Sequence, residues 1–142
     1  MSTLTKVLER NVSQIEKNAN MKEGRFRLGH HLMPPVGWLN DPNGLCWYKG
    51  RYHVFFQYAP FDVEGGLKFW GHYTSEDLLD WKYEGTALYP DSSYDCHGVY
   101  SGSSLIDQDK MHLFFTGNVK IDGDYDYINE GRETSTLHVE SE

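Results

Sequence analysis

GRYHVFFQYAP at residues 50–60 and DKMHLFFTGNV at residues 109–119 are two copies of one pattern, 59 positions apart. Each is a run of aromatic and β-branched residues, the composition of a strand bounded by turns. In the first copy, alternation at period two puts Tyr52, Val54, Phe56 and Tyr58 on one face and His53, Phe55 and Gln57 on the other. Both faces are largely apolar, so the strand belongs inside a layered structure, covered on each side. A second match follows, HYTSE at 72–76 with HVESE at 138–142, 66 positions apart. A repeat of this length, made of three or four short strands, predicts the blades of a β-propeller. The first copy continues after Glu76 into DLLDW, whereas the second ends at Glu142, where that continuation would begin. The expected fold is all-β: the first blades of a propeller, with the sequence ending inside the second blade.

Working outward, the runs LCWY, FWGHYTS and WKYEG supply further short strands, broken by Gly, Asp and Pro. Upstream the period changes. Leu4, Leu8, Val12 and Ile15 recur at three- to four-residue spacing among charged residues, which predicts a helix over the first twenty residues. Residues 17–25 turn polar and Gly24 suits a stop. Two regions are expected: a helix and linker over 1–25, with no chemistry of its own, and a partial propeller domain over 26–142.

Composition narrows the function. The chain has 142 residues, 15% of them aromatic, and a net charge of −8. With no basic cluster visible along the sequence, nucleic acid and anionic membrane surfaces are poor partners. No stretch approaches the ~20 apolar residues that span a bilayer, and the N-terminus has no apolar run of the secretory kind. Cys46 and Cys96 alone make neither a disulfide framework nor a CxxC site. A reduced, cytoplasmic protein is expected, and exposed strand edges would favour pairing with a second copy.

The chemistry concentrates in Trp38-Leu39-Asn40-Asp41-Pro42-Asn43-Gly44. Pro42 disfavours helical geometry at Asp41 and points to an extended or turn conformation, and Gly44 permits a tight path. The Asp41 carboxylate could then enter a cleft beside Trp38 and Asn40. Read from these residues alone, an ordinary Asx-turn is the favoured reading.

WLNDPNG resembles the signature of glycoside hydrolase family 32, the invertase, sucrose-6-phosphate hydrolase and fructanase group. FRLGHHLMPPVG upstream, FFQYAPF, WGHYTSEDLLDWKYEG, YSGS and FFTGNV extend the resemblance, in order, over most of residues 26–142. It implies a five-bladed β-propeller that cleaves β-fructosides with retention, through a covalent fructosyl-enzyme. Asp41 would be the nucleophile, suited to it because a carboxylate both stabilises oxocarbenium-like charge and forms a glycosyl ester. Trp38, Leu39, Asn40, Gln57, Trp70, Tyr100 and Ser101 match the family's substrate-binding positions. The amide of Gln57 both donates and accepts, as paired sugar hydroxyls require. Taken singly, Trp70 reads as core, Gln57 as a strand residue and Ser101 as a small neighbour of Gly102.

The same resemblance calls for two more carboxylates: an acid/base Glu in a Glu-Cys motif and an Asp in an Arg-Asp-Pro motif. No Glu here precedes a Cys, and Asp41-Pro42 is the only Asp-Pro. Asp95-Cys96 carries the wrong acid, and Glu130, Glu133, Glu140 and Glu142 fit no motif. The chain alone is therefore expected to be inactive, or to complement a missing C-terminal part. The seven His show no metal-ligand spacing, and no metal or other cofactor is expected. The arabinanase-like propeller glycosidases also place an Asp near their start, but WLNDPNG with WGH and SGS favours a small β-fructoside as the substrate.

Overall fold

The computed structural model describes residues 2–19, 26–28 and 30–141. Gly24, most of the expected linker, and Glu142 fall outside the described residues.

The chain begins with helix α1, Thr3–Asn18, capped by Ser2, whose side chain accepts from Thr5 N–H at 3.0 Å. Seven strands follow: β1 (Trp38–Tyr48), β2 (Arg51–Ala59), β3 (Phe69–Ser75), β4 (Trp81–Leu88), β5 (Val99–Asp107), β6 (Lys110–Lys120) and β7 (Arg132–Glu140). They form two antiparallel meanders, β1-β2-β3-β4 and β5-β6-β7. These are the two blades that the repeat predicts: one of four strands and one of three among the described residues.

The repeat is visible atom by atom. In the first blade His53 Nδ1 lies 2.9 Å from His72 Nε2, and Phe55 stacks on His72. In the second, His112 Nδ1 lies 2.9 Å from His138 Nε2, and Phe114 stacks on His138. Burial, and then the neighbouring His53, hold His72 down to about 4, so this pair is neutral packing rather than charge.

The two faces of β2 go to two cores. Phe55 packs with Tyr48, Trp70, Val99, Met111, Leu113 and Phe115 between the blades. Phe56 and Tyr58 pack with Phe69, Tyr73 and Val12 under the helix. The Phe56 ring covers its ladder partner Gly71, where a Cβ would stand 2.1 Å from Phe56 Cζ. The helix docks through Thr5, Leu8, Val12 and Glu16, while Leu4 of the sequence-derived stripe is exposed. Polar anchors turn the face: Thr5 Oγ1 donates to Asp91, and Glu16 Oε1 accepts from Tyr58 at 3.0 Å and Tyr83 at 2.7 Å. No helix among the described residues is long and apolar enough to cross a membrane.

Candidate active site

WLNDPNG is not a free turn. It is the first part of β1, laddered against β2 through Asn40↔Gln57, Pro42↔Phe56 and Asn43↔Phe55. Asp41 is the extra residue of a bulge, with φ of 38°. Bulges of this kind re-aim a side chain while the ladder continues on both sides. An Asp tolerates the left-handed region better than most residues, at a cost of about 1–3 kcal/mol. A second bulge between Asn43 and Cys46 follows. It contains Gly44, φ 58°, where a Cβ would come 2.9 Å from Phe55 Cδ2.

Blade two repeats the device. Tyr100 pairs with Thr116 and Gly102 with Phe115, which leaves Ser101 as the extra residue of β5. The two bulged residues meet: Ser101 Oγ donates to Asp41 Oδ2 at 3.0 Å. Ser101, rather than Asn40, is the side chain that bonds this carboxylate, although Asn40 flanks Asp41 and pairs with Gln57. Asn43, absent from the sequence-derived set although it lies in the signature, braces the bulge by donating from Nδ2 to the Asp41 carbonyl at 2.7 Å.

The other expected site residues divide. Gln57 is buried at 5% exposure, opposite Asn40 and Trp70 in the ladders. Its amide makes no hydrogen bond among the described residues. Trp38 and Tyr100 stand beside the loop that carries Lys68, whose Nζ lies 5.1 Å from the Trp38 ring centroid and 5.9 Å from that of Tyr100. Leu39 turns away and packs against the cluster under the helix. Trp70 also stays out of the open site. It is 0% exposed, packs between the blades, and its indole N–H donates to the Tyr100 carbonyl at 3.1 Å.

Asp95 and Glu140, which fit no family motif, are engaged in other contacts. Asp95 is buried, and its Oδ1 accepts from Ser92 N and Oγ at 2.8 Å each, which makes it a turn cap; burial raises it above the usual carboxylate range. Glu140 pairs with Lys110 at 2.7 Å on the surface. A cavity of about 550 Å³ between α1, β4 and the second blade is lined by none of the sequence-derived site residues.

The sequence showed no basic cluster, yet the fold makes one. Lys68, Lys120 and Arg132 line a cleft of about 400 Å³ together with His97 and Tyr100. The three cations come from separate segments, so no run of Lys and Arg announces them.

Residues 31–137 match the model for the glycosyl hydrolases family 32 N-terminal domain. A sucrose-6-phosphate hydrolase of Bacillus subtilis is 56% identical over 90 residues, 63% of this chain and 19% of that protein. A β-fructofuranosidase structure from Bombyx mori superposes with a TM-score of 0.82 at 33% identity, over 96% of this chain and 28% of that one. A sucrose-6-phosphate hydrolase structure from Lactobacillus gasseri gives 0.77 at 36% identity, over 92% and 25%. The chain thus spans between 19% and 28% of the length of these relatives.

Proposed function

The chain belongs to glycosyl hydrolase family 32, and from that premise we propose that it supplies the nucleophile and part of the sugar-binding wall of a retaining β-fructofuranosidase. The observation that carries this is the Ser101–Asp41 hydrogen bond, which joins two bulged residues from two blades into one open site. Asp41 attacks the anomeric carbon of a β-fructoside and forms the fructosyl ester. Its Oδ2 is oriented by Ser101 and its backbone is held by Asn43. Gln57 and Asn40, paired across the ladder, take fructose hydroxyls, and Trp38 and Tyr100 bound the sugar. Leu39 and Trp70 support these positions from behind.

Retention needs a second carboxyl about 5–5.5 Å from the first, to protonate the leaving oxygen and then activate water. No Glu-Cys motif lies in this sequence, and on that ground the chain binds but does not turn over substrate alone. Loss of one member of a cooperative catalytic group costs several orders of magnitude in rate. The substrates are small β-fructosides such as sucrose or sucrose 6-phosphate, and the setting is cytoplasmic. Residues 1–25 act as a docking segment for the blades in 26–142. The β7 edge, unpaired among the described residues, offers a place for a further strand.

Calorimetric titration with sucrose and a fructose-release assay test this together. Sucrose should bind, Gln57→Ala should weaken it about tenfold, and no fructose should appear. Binding indifferent to Gln57 and Asp41 overturns the site. Fructose release that Asp41→Ala abolishes overturns the claim that the acid/base group lies elsewhere.

A further inference from the structure

We infer that β7 is an association edge whose occupant is β7 of a second copy, paired antiparallel about a two-fold axis at Thr136. Nothing in this pairing depends on the chemistry at Asp41.

Among the described residues, β7 is the edge strand without a bulge. It meets β6 through nine consecutive residues, Arg132–Glu140, with no register shift. β4 is shifted twice against β3, and β1 twice against β2. β5 carries the Ser101 bulge and is turned towards β1, where Ser101 donates to Asp41 and Ser104 to the Leu45 carbonyl. Bulges and prolines blunt a free edge, and β7 has neither.

The ladder fixes which groups face outward. Ile121 N–H donates to the Gly131 carbonyl at one end, and Ser141 N–H to the Met111 carbonyl at the other. The odd-numbered residues of β7 therefore direct their N–H and C=O groups to β6. Arg132, Thr134, Thr136, His138 and Glu140 present theirs outward. An antiparallel neighbour closes hydrogen bonds only where outward residues oppose outward residues, so odd shifts of register are excluded. One allowed register overlaps the whole strand. It sets Thr136 opposite Thr136, Thr134 opposite His138, and Arg132 opposite Glu140 on a shared face.

Charge selects the same register. Arg132 has no ion pair among the described residues and stands opposite Lys120 in the ladder. Like charges in that position destabilise a sheet. Glu140 Oε1 accepts from Lys110 at 2.7 Å, while Oε2 lies 4.0 Å from His112 Nδ1, beyond hydrogen-bond reach. That oxygen is open to a guanidinium. A two-fold axis forms the Arg132–Glu140 pair twice, once at each end of the joint. Sliding the strands by two residues loses both pairs: Arg132 then faces His138, or Glu140 faces Thr134. The two three-stranded sheets would join into one, β5-β6-β7 continued by β7-β6-β5. The joint also brings Glu140 of the second copy to the Arg132 that lies 5.5 Å from the Tyr100 ring.

Sedimentation velocity over a concentration series tests this. The chain should pass from monomer to dimer as concentration rises. Arg132→Glu and Glu140→Arg each set like charges opposite one another at both ends, and should weaken self-association about tenfold. Mixed in equal amounts, the two variants restore opposite charges at both ends and should associate as the native chain does. A variant that misfolds does not regain a partner on mixing, so the mixture separates lost charge from lost structure. Thr136→Pro removes an outward N–H, leaves the bonds to β6 in place, and should abolish association. A monomer at every concentration leaves the edge to a strand of other sequence and overturns the pairing. So does a dimer that Thr136→Pro or the charge variants leave intact, or a mixture that fails to associate.

Discussion

Replacing Glu16 with Ala removes one carboxylate and orphans two phenols. Its Oε1 accepts from Tyr58 and Tyr83, and Tyr58 is fully buried. Hydrogen bonds to a charged acceptor contribute about 1.5–3 kcal/mol each, and a buried hydroxyl left unpaired costs about 1–3 kcal/mol. Discounting Tyr83, which lies nearer the surface, Glu16→Ala should destabilise the chain by about 3 kcal/mol. Tyr83→Phe removes the donor together with its need for a partner and should cost about 1 kcal/mol. The informative quantity is the double variant. If Glu16 acts through the hydroxyls, Glu16→Ala/Tyr83→Phe should be no less stable than Glu16→Ala, a coupling of about 1 kcal/mol or more. Urea unfolding followed by Trp fluorescence, with all four proteins sharing one m-value, measures it. Strict additivity, or a loss below about 0.5 kcal/mol for Glu16→Ala, would refute the idea that this carboxylate pins the helix to the blade.

Two further outcomes follow from the packing. Gly71→Ala drives a methyl to 2.1 Å from Phe56 Cζ in the core, so it should cost about 2–3 kcal/mol in the same urea assay, whereas Gly85→Ala meets no atom and carries only the strain of its φ of 113°. His72, held down to about 4 by burial, titrates near 6.5 in the unfolded chain. Between those values the unfolded state binds the extra proton, so stability falls as pH is lowered through that window, by at most about 3 kcal/mol. His72→Gln should flatten the dependence, and an unchanged slope in that variant would assign it to other groups.

The blades were legible because their signal is local and repeated. Period-two aromatic runs and the 59-position offset survive folding unchanged, down to the matching His–His–Phe stacks. From sequence WLNDPNG reads as a possible turn, because Asp, Pro, Asn and Gly carry turn propensity. Its strand character is imposed by ladder partners in β2, a tertiary effect that propensity does not encode. The helix face was misassigned at Leu4 for a similar reason. Polar anchors at Thr5 and Glu16 set its rotation, and apolar periodicity does not count them. The cationic cleft was invisible because Lys120 and Arg132 meet only through the β6–β7 ladder, and Lys68 joins them from the segment before β3.

The paired bulges have a consequence for how such a site can change. A residue inside a ladder cannot be exchanged freely, since its neighbours on both strands pack against it. Asp41 and Ser101 are surplus to their ladders, and each sits at the same point of its blade relative to β2 or β6. The same socket in the ladder thus holds an acid in the first blade, at a φ of 38°, and a hydroxyl in the second, with the surrounding register intact. Chemistry at the mouth of this propeller can be rewritten blade by blade, by substitution at the socket alone, without repacking the sheets that hold it.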